Sequence, residues 1–170
     1  VRINHPGVVG VLDQGETPEG LPFLVLQFVE GVSLRCLMRS GGMDLARTGR
    51  LIRQLGHALD AAHQHGVHHR DLKPENILIQ NLGNGQEHAV IIDFGIATVK
   101  DSRYAGPPMT RIAGSFPYMA PEQLVGKPEA ASDIYALGVV AYEIVTGTTP
   151  FEPGSPVAHY FEQKQGVRVK

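Results

Sequence analysis

The residues best equipped for chemistry stand in two short blocks. Between His69 and Asn76 the chain reads HRDLKPEN, and seventeen residues beyond Asn76 it reads Asp93, Phe94, Gly95. Together the blocks offer two carboxylates, an amide and a lysine: Asp71, Asp93, Asn76 and Lys73. Those types suit metal and phosphate. Phosphoryl transfer asks little more of side chains than a group to orient the attacking hydroxyl, and cations with their ligands to neutralise the moving phosphoryl. Singly, each residue says little, because an Asp in a loop is a turn former or helix cap far more often than a base. The joint pattern carries the reading.

The elements that must position these groups are legible nearby. Leu51, Ile52, Leu55, Ala58, Leu59 and Ala62 form one stripe on a 3.6-residue period, which predicts a helix over Leu45 to His65 with Asp44 as cap and Gly66 as stop. This helix delivers the chain to HRDLKPEN. Ile77 to Ile79 and Val90 to Ile92 read as short strands joined by the glycine-bearing NLGNGQEH. Such a hairpin sets Asn76 before one strand and Asp93 after the other, at the same mouth. Ile134 to Val145 is apolar nearly all round, which predicts a buried helix. Val8 to Leu12 and Phe23 to Phe28 read as strands, separated by a turn holding Gly15, Pro18 and Gly20. Ser33 reads as the cap of a short helix, Leu34 to Arg39, closed by Gly41 and Gly42.

Composition is that of an ordinary cytosolic globular domain, with 42% hydrophobic and 19% charged residues and a net charge of -2. Basic residues are scattered, so no nucleic-acid partner is expected. The single cysteine, Cys36, fits a reducing compartment and reads as a small buried apolar residue. No run of eighteen apolar residues and no signal peptide occurs, so a cytoplasmic location is expected, with any membrane anchor lying outside this segment. The eight histidines, His63, His65, His68 and His69 among them, raise a metal site as a possibility. The blander reading is stronger, since His63 falls near a helix end where imidazolium is favoured.

Four blocks in their order and spacing identify a family resemblance: HRDLKPEN, DFG at 93–95, APE at Ala120 to Glu122, and SDIYALG at Ser132 to Gly138. The chain resembles eukaryotic-type (Hanks-type) serine/threonine protein kinases. DIYALG, with Tyr135 and Leu137, together with HPGVV and SPVAHY, is most similar to bacterial members. The resemblance implies an α+β, protein-kinase-like fold truncated at both ends. Residues 1–31 would be a remnant of the β small lobe with the hinge, and 32–170 most of a mainly helical large lobe. The catalytic loop would span 67–76 and the activation segment 93–122.

The same resemblance assigns roles. Asp71 would orient or accept the substrate hydroxyl proton, Lys73 would touch the transferring phosphate, and Asn76 and Asp93 would ligate Mg2+ bridging the phosphates of ATP. Lys73 with Pro74 and Glu75 resembles the serine/threonine branch, so the expected partner is a protein substrate bearing such hydroxyls. Backbone groups of Gln27 and Val29 would contact adenine, with Leu26 as gatekeeper and Leu78 as the pocket floor. Asp133 would hold the catalytic-loop backbone, and His69 would pack beneath Phe94. Ser115 would shape the substrate loop. Thr110 is the leading phosphorylation candidate, with Ser102 as alternative, because Arg70 could order a phosphate there.

No GxGxxG occurs in the 170 residues, and the opening NHPGVVGVLDQGE resembles the segment after helix C of a small lobe. The upstream lysine and its glutamate are not in evidence, and Pro150 to Lys170 resembles the start of helix G. Glu122 would pair with an arginine beyond the chain's end, and loss of one partner of a buried pair costs roughly 3–5 kcal/mol. The isolated chain is therefore expected to be marginally stable and nearly inactive. Two rivals remain: a pseudokinase or scaffold that binds nucleotide or partners without transfer, and a small-molecule phosphotransferase of the kinase-like superfamily. Intact Asp71, Asn76 and Asp93 oppose the first, and the APE block opposes the second.

Overall fold

In the computed structural model the described residues are 3–41, 43–94, 116–151 and 156–166. Gly42, Gly95, Ser102, Thr110, Gly114 and Ser115 lie outside them. The architecture is mixed α+β. Strands β1 (Val11–Glu16) and β2 (Pro22–Leu26) pair antiparallel as a two-stranded ribbon. A separate three-stranded antiparallel sheet runs β3–β4–β5, built from Val32–Ser33, Ile77–Gly83 and Gln86–Ile91. Among the described residues five α-helices follow the strands or link them: α1 (Leu34–Arg39), α2 (Leu45–His63), α3 (Pro121–Leu124), α4 (Ala130–Thr146) and α5 (Pro156–Gln165).

The core forms where α2 packs against α4 and β5. Leu51, Leu55, Ala58, Leu59 and Ala62 of the predicted stripe are buried, with Ile52 half-buried beside them. Each such leucine contributes about 1.5–3 kcal/mol by leaving water. Asp44 caps α2 by accepting from the Arg47 amide at 2.6 Å. The helix stops at His63, two residues earlier than expected, because the chain turns through Gln64 and His65 to Gly66, whose φ is +70°. Ser33 caps α1 as expected, accepting from the Cys36 amide at 3.3 Å.

Four more expectations are corrected. The first strand begins at Val11, because Val8 and Val9 are buried against Ile91 instead of pairing with β2. Gly15 is therefore a strand residue opposite Phe23, whose ring lies where a Cβ would stand, and the turn is Thr17 to Gly20. β4 and β5 reach past their apolar cores to a two-residue turn, Asn84 and Gly85, with φ of +50° and +73°. Positive φ at both positions suits Asn-Gly and joins strands with matching twist.

The other two corrections concern burial. Helix α4 starts at Ala130 and is buried on one side only. Asp133, Ala136, Leu137, Val140 and Ile144 are covered, while Ile134 and Val145 remain 50% and 55% exposed. Eleven residues separate those two, three helical turns, so they share one outward strip. Cys36 is exposed, because α1 turns Leu34 to the core and a residue two positions on faces away.

Candidate active site

The HRDLKPEN segment is fastened from below by α4. Asp133, 1% exposed, accepts from the His69 amide (Oδ2, 2.8 Å) and from the Arg70 amide (Oδ1, 2.8 Å). His63 Nε2 adds a third contact to Oδ2 at 2.8 Å. The expectation that Asp133 holds this backbone is met. Its work is visible in the dihedrals: Arg70 has φ of +66°, a left-handed conformation that costs a non-glycine residue of order 1–3 kcal/mol and persists only where its surroundings impose it. The Arg70 carbonyl is also taken, by Gln123 Nε2 at 2.9 Å.

Asn76 joins the segment to the far side of the hairpin. Its Nδ2 donates to the Asp71 carbonyl at 2.9 Å, and its own carbonyl accepts from the Ile92 amide at 2.9 Å. Asp93 follows directly, exposed and with φ of +64°. The hairpin thus brings Asp71, Asn76 and Asp93 into one neighbourhood. Lys73 Nζ lies 2.9 Å from Asp71 Oδ2.

His69 closes the assembly from inside. Its Nδ1 accepts from the Asp71 amide at 3.2 Å, so Nε2 carries the proton and donates to the Ile92 carbonyl at 2.9 Å. Burial lowers its pKa, outweighing that carbonyl and the carboxylates of Asp133, Asp71 and Asp93. The ring meets Phe94 edge-on with centroids 4.9 Å apart, the packing expected of it.

The remaining predicted positions are spread over the strands. Leu78 is half-buried on the face of β4 opposite Ile77 and Ile79. Gln27 follows β2, and its amide donates to the Gly10 carbonyl at 2.8 Å, which leaves its carbonyl as the group available to a ligand. Val29 lies two residues on and half-buried, and Leu26 ends β2 opposite Val11. Arg70 Nε is buried without a hydrogen-bond partner among the described residues. Thr110, whose phosphate that arginine was expected to order, and Ser115 are outside them.

One cluster was missed by sequence reading. Arg35 of α1 donates to Glu75 Oε1 at 2.8 Å, to Glu143 Oε1 at 2.7 Å and to the Tyr118 hydroxyl. Tyr118 in turn donates to Glu143 Oε2 at 2.6 Å. Burial opposes the charge on Arg35, but its bonds to Glu143 and Glu75 outweigh burial and raise its pKa. Burial, then the bond to Glu143, holds the phenol above its ordinary range. The cluster ties α1 and α4 to Glu75, the neighbour of Asn76. Among the described residues no group of three His, Cys, Asp or Glu is arranged to hold a metal, and no helix is long and apolar enough to cross a membrane.

The chain is similar to known proteins. The family model described as protein kinase domain matches residues 1–168. The chain is 41% identical over 161 residues to serine/threonine-protein kinase pkn3 of Myxococcus xanthus, covering 92% of this chain and 29% of that protein. It is 42% identical over 163 residues to serine/threonine-protein kinase PknB of Mycolicibacterium smegmatis, covering 92% of this chain and 25% of that protein. A probable serine/threonine-protein kinase of Corynebacterium efficiens is 38% identical over 170 residues, 96% of this chain and 25% of its own length. The chain thus spans less than a third of each of these relatives.

Proposed function

The chain belongs to the protein kinase domain family, and from that premise we propose that it carries the catalytic centre for transferring the terminal phosphoryl of ATP to serine or threonine hydroxyls of protein substrates. The observation that carries the reading is the coupling of Asp71 to Lys73 at 2.9 Å on a loop whose backbone is fixed by Asp133 and Asn76. A carboxylate held this way can orient a hydroxyl and take its proton, while the adjacent ammonium steadies the phosphoryl group.

Asn76 and Asp93 are the residues that would hold Mg2+. The donor set fits: Asn76 spends its Nδ2 on the Asp71 carbonyl, which turns Oδ1 to act as ligand, and Asp93 supplies an exposed carboxylate. Mg2+ takes oxygen ligands, commonly one or two carboxylates with substrate phosphates. When bound it neutralises charge building on the phosphates. The Gln27 carbonyl and Val29 backbone would meet adenine above Leu78, with residues 1–31 as small-lobe remnant and 32–170 as partial large lobe. Arg70 would order a phosphate on Thr110, and Ser115 would shape the substrate loop.

The test is phosphate transfer from ATP to a serine- and threonine-containing peptide library, measured in the longest protein in which this chain occurs. Asp71→Asn should lower kcat by about 100-fold or more while leaving binding of magnesium nucleotide in place. Equal rates would refute the assignment, and nucleotide binding without transfer in the unaltered protein would favour the scaffold reading. The 170 residues alone, which contain no GxGxxG, should turn over well below about one per second.

A further inference from the structure

A cavity lies away from the site described. It measures ≈ 260 Å³ and is framed by the start of α2 and the β4–β5 turn. That turn is at the opposite end of the hairpin from Asn76, about 20 Å along the strand. Its floor is the buried Leu51, and one wall is Leu82, an apolar side chain left 62% exposed beside the stiff Asn84-Gly85 turn. Arg47 and Arg50 line the rest with Gln54, Gly85, Gln86 and Glu87. Arg47 is gripped by Glu87 through two hydrogen bonds, at 2.8 and 2.7 Å, which fixes the guanidinium in place and cancels its charge. Arg50 is exposed and has no hydrogen-bond or ion-pair partner among the described residues.

The helix leaves Arg50 uncompensated by design of its sequence. Its neighbours at three and four positions are Ala46, Arg47, Arg53 and Gln54, none of them acidic. Gln54, the one polar neighbour able to reach across, is already spent on the Glu87 carbonyl and the Ala89 amide, at 3.1 and 2.9 Å. The chain as a whole carries a net charge of -2, and Arg50 sets an uncompensated cation beside an exposed leucine.

We propose that this groove docks an acidic, leucine-bearing peptide segment of a protein partner, with its carboxylate on Arg50 and its apolar side chain between Leu82 and Leu51. The volume holds one or two side chains, and the open mouth suits a segment that continues along the surface. One free arginine with an apolar wall is a poor match to a nucleic-acid backbone, which selects extended basic patches. The site stands apart from the catalytic loop, so docking and phosphoryl transfer are separable.

The probe is a Glu-Leu-Glu-Leu peptide carrying a neutral fluorophore, followed by anisotropy with the full chain. Arg50→Glu and Leu82→Ser are both surface changes and should each weaken binding at least about fivefold, while the peptide with lysine for glutamate should prefer the Arg50→Glu protein. Equal affinity for the unaltered chain and both variants overturns the proposal, as does indifference to peptide charge. A dimer that Arg50→Glu converts to monomer would instead make the groove a self-interface, and the proposal would fall.

Discussion

Asp71, Asn76 and Asp93 are held chiefly by residues that do no chemistry. His69 is the clearest case: 1% exposed, it accepts from the Asp71 amide and donates to the Ile92 carbonyl, so it spans both halves of the site in its neutral form. Protonation would put a second donor against the Asp71 amide. Its lowered pKa therefore carries a sign. The unfolded chain takes up the proton first as pH falls through the ordinary imidazole value of 6.5, so folding stability declines in that direction. His5 acts in the same sense, its pKa lowered by burial and by His57 and His88. Glu75, lowered from 4.5 by Arg35 against the opposing effect of burial, acts at more acidic pH and leaves this window alone. Urea midpoints should be lower at about pH 5.5 than at about pH 7.5, and a flat or rising midpoint on acidification would contradict the tautomer assigned.

Between elements, Arg35 is the fastening that sequence could not disclose. Its partners Glu75, Tyr118 and Glu143 lie 40, 83 and 108 positions away, and no local pattern links them. By contrast α2 was legible because one apolar stripe repeats over its turns, and the β4–β5 hairpin because two apolar runs flank a glycine-bearing segment, although the tight Asn84-Gly85 turn lies within what reads as a longer loop. β1 was misplaced because Asp13, Gln14 and Glu16 lie on a ribbon with no buried face to impose alternation. The outward strip of α4 was misjudged because an apolar side chain does not reveal whether a neighbour covers it. The Arg35 cluster can be weighed by mutation. Arg35→Ala leaves Glu143, 10% exposed in its side chain, with only the Tyr118 hydroxyl among the described residues, and should cost roughly 3–5 kcal/mol. Glu75→Ala removes a partner 47% exposed and should cost less than about 1 kcal/mol. Chemical denaturation of the two variants measures both, and equal losses would mean that Arg35 is held by solvent-facing contacts alone.

Across the whole molecule, stability is distributed unevenly. Helix α2, α4 and the β3–β4–β5 sheet share one buried cluster that includes Leu51, Leu55, Ile77, Ile91 and Val140. The β1–β2 ribbon has no part in it: Val11, Phe23, Leu24 and Val25 are 37–44% exposed, and Phe28 just beyond is 88% exposed. Two paired strands without a covering layer are marginal in water, since hydrogen bonds to each other only replace those to solvent. The described anchors nearest the ribbon are backbone bonds at its base, Gln27 to Gly10 and Val9 to Ile91. Local opening should therefore need much less free energy in the ribbon than global unfolding does. Amide hydrogen exchange on the isolated chain should show residues 11–26 exchanging at least about 100-fold faster than the amides of α2 and β5, with Val9 and Ile91 protected like the core. Protection of the ribbon equal to that of α2 would show it to be part of the same cooperative unit. The exposed phenylalanines would then have to be stabilised by contacts between chains, which a dependence of the exchange rates on protein concentration would reveal.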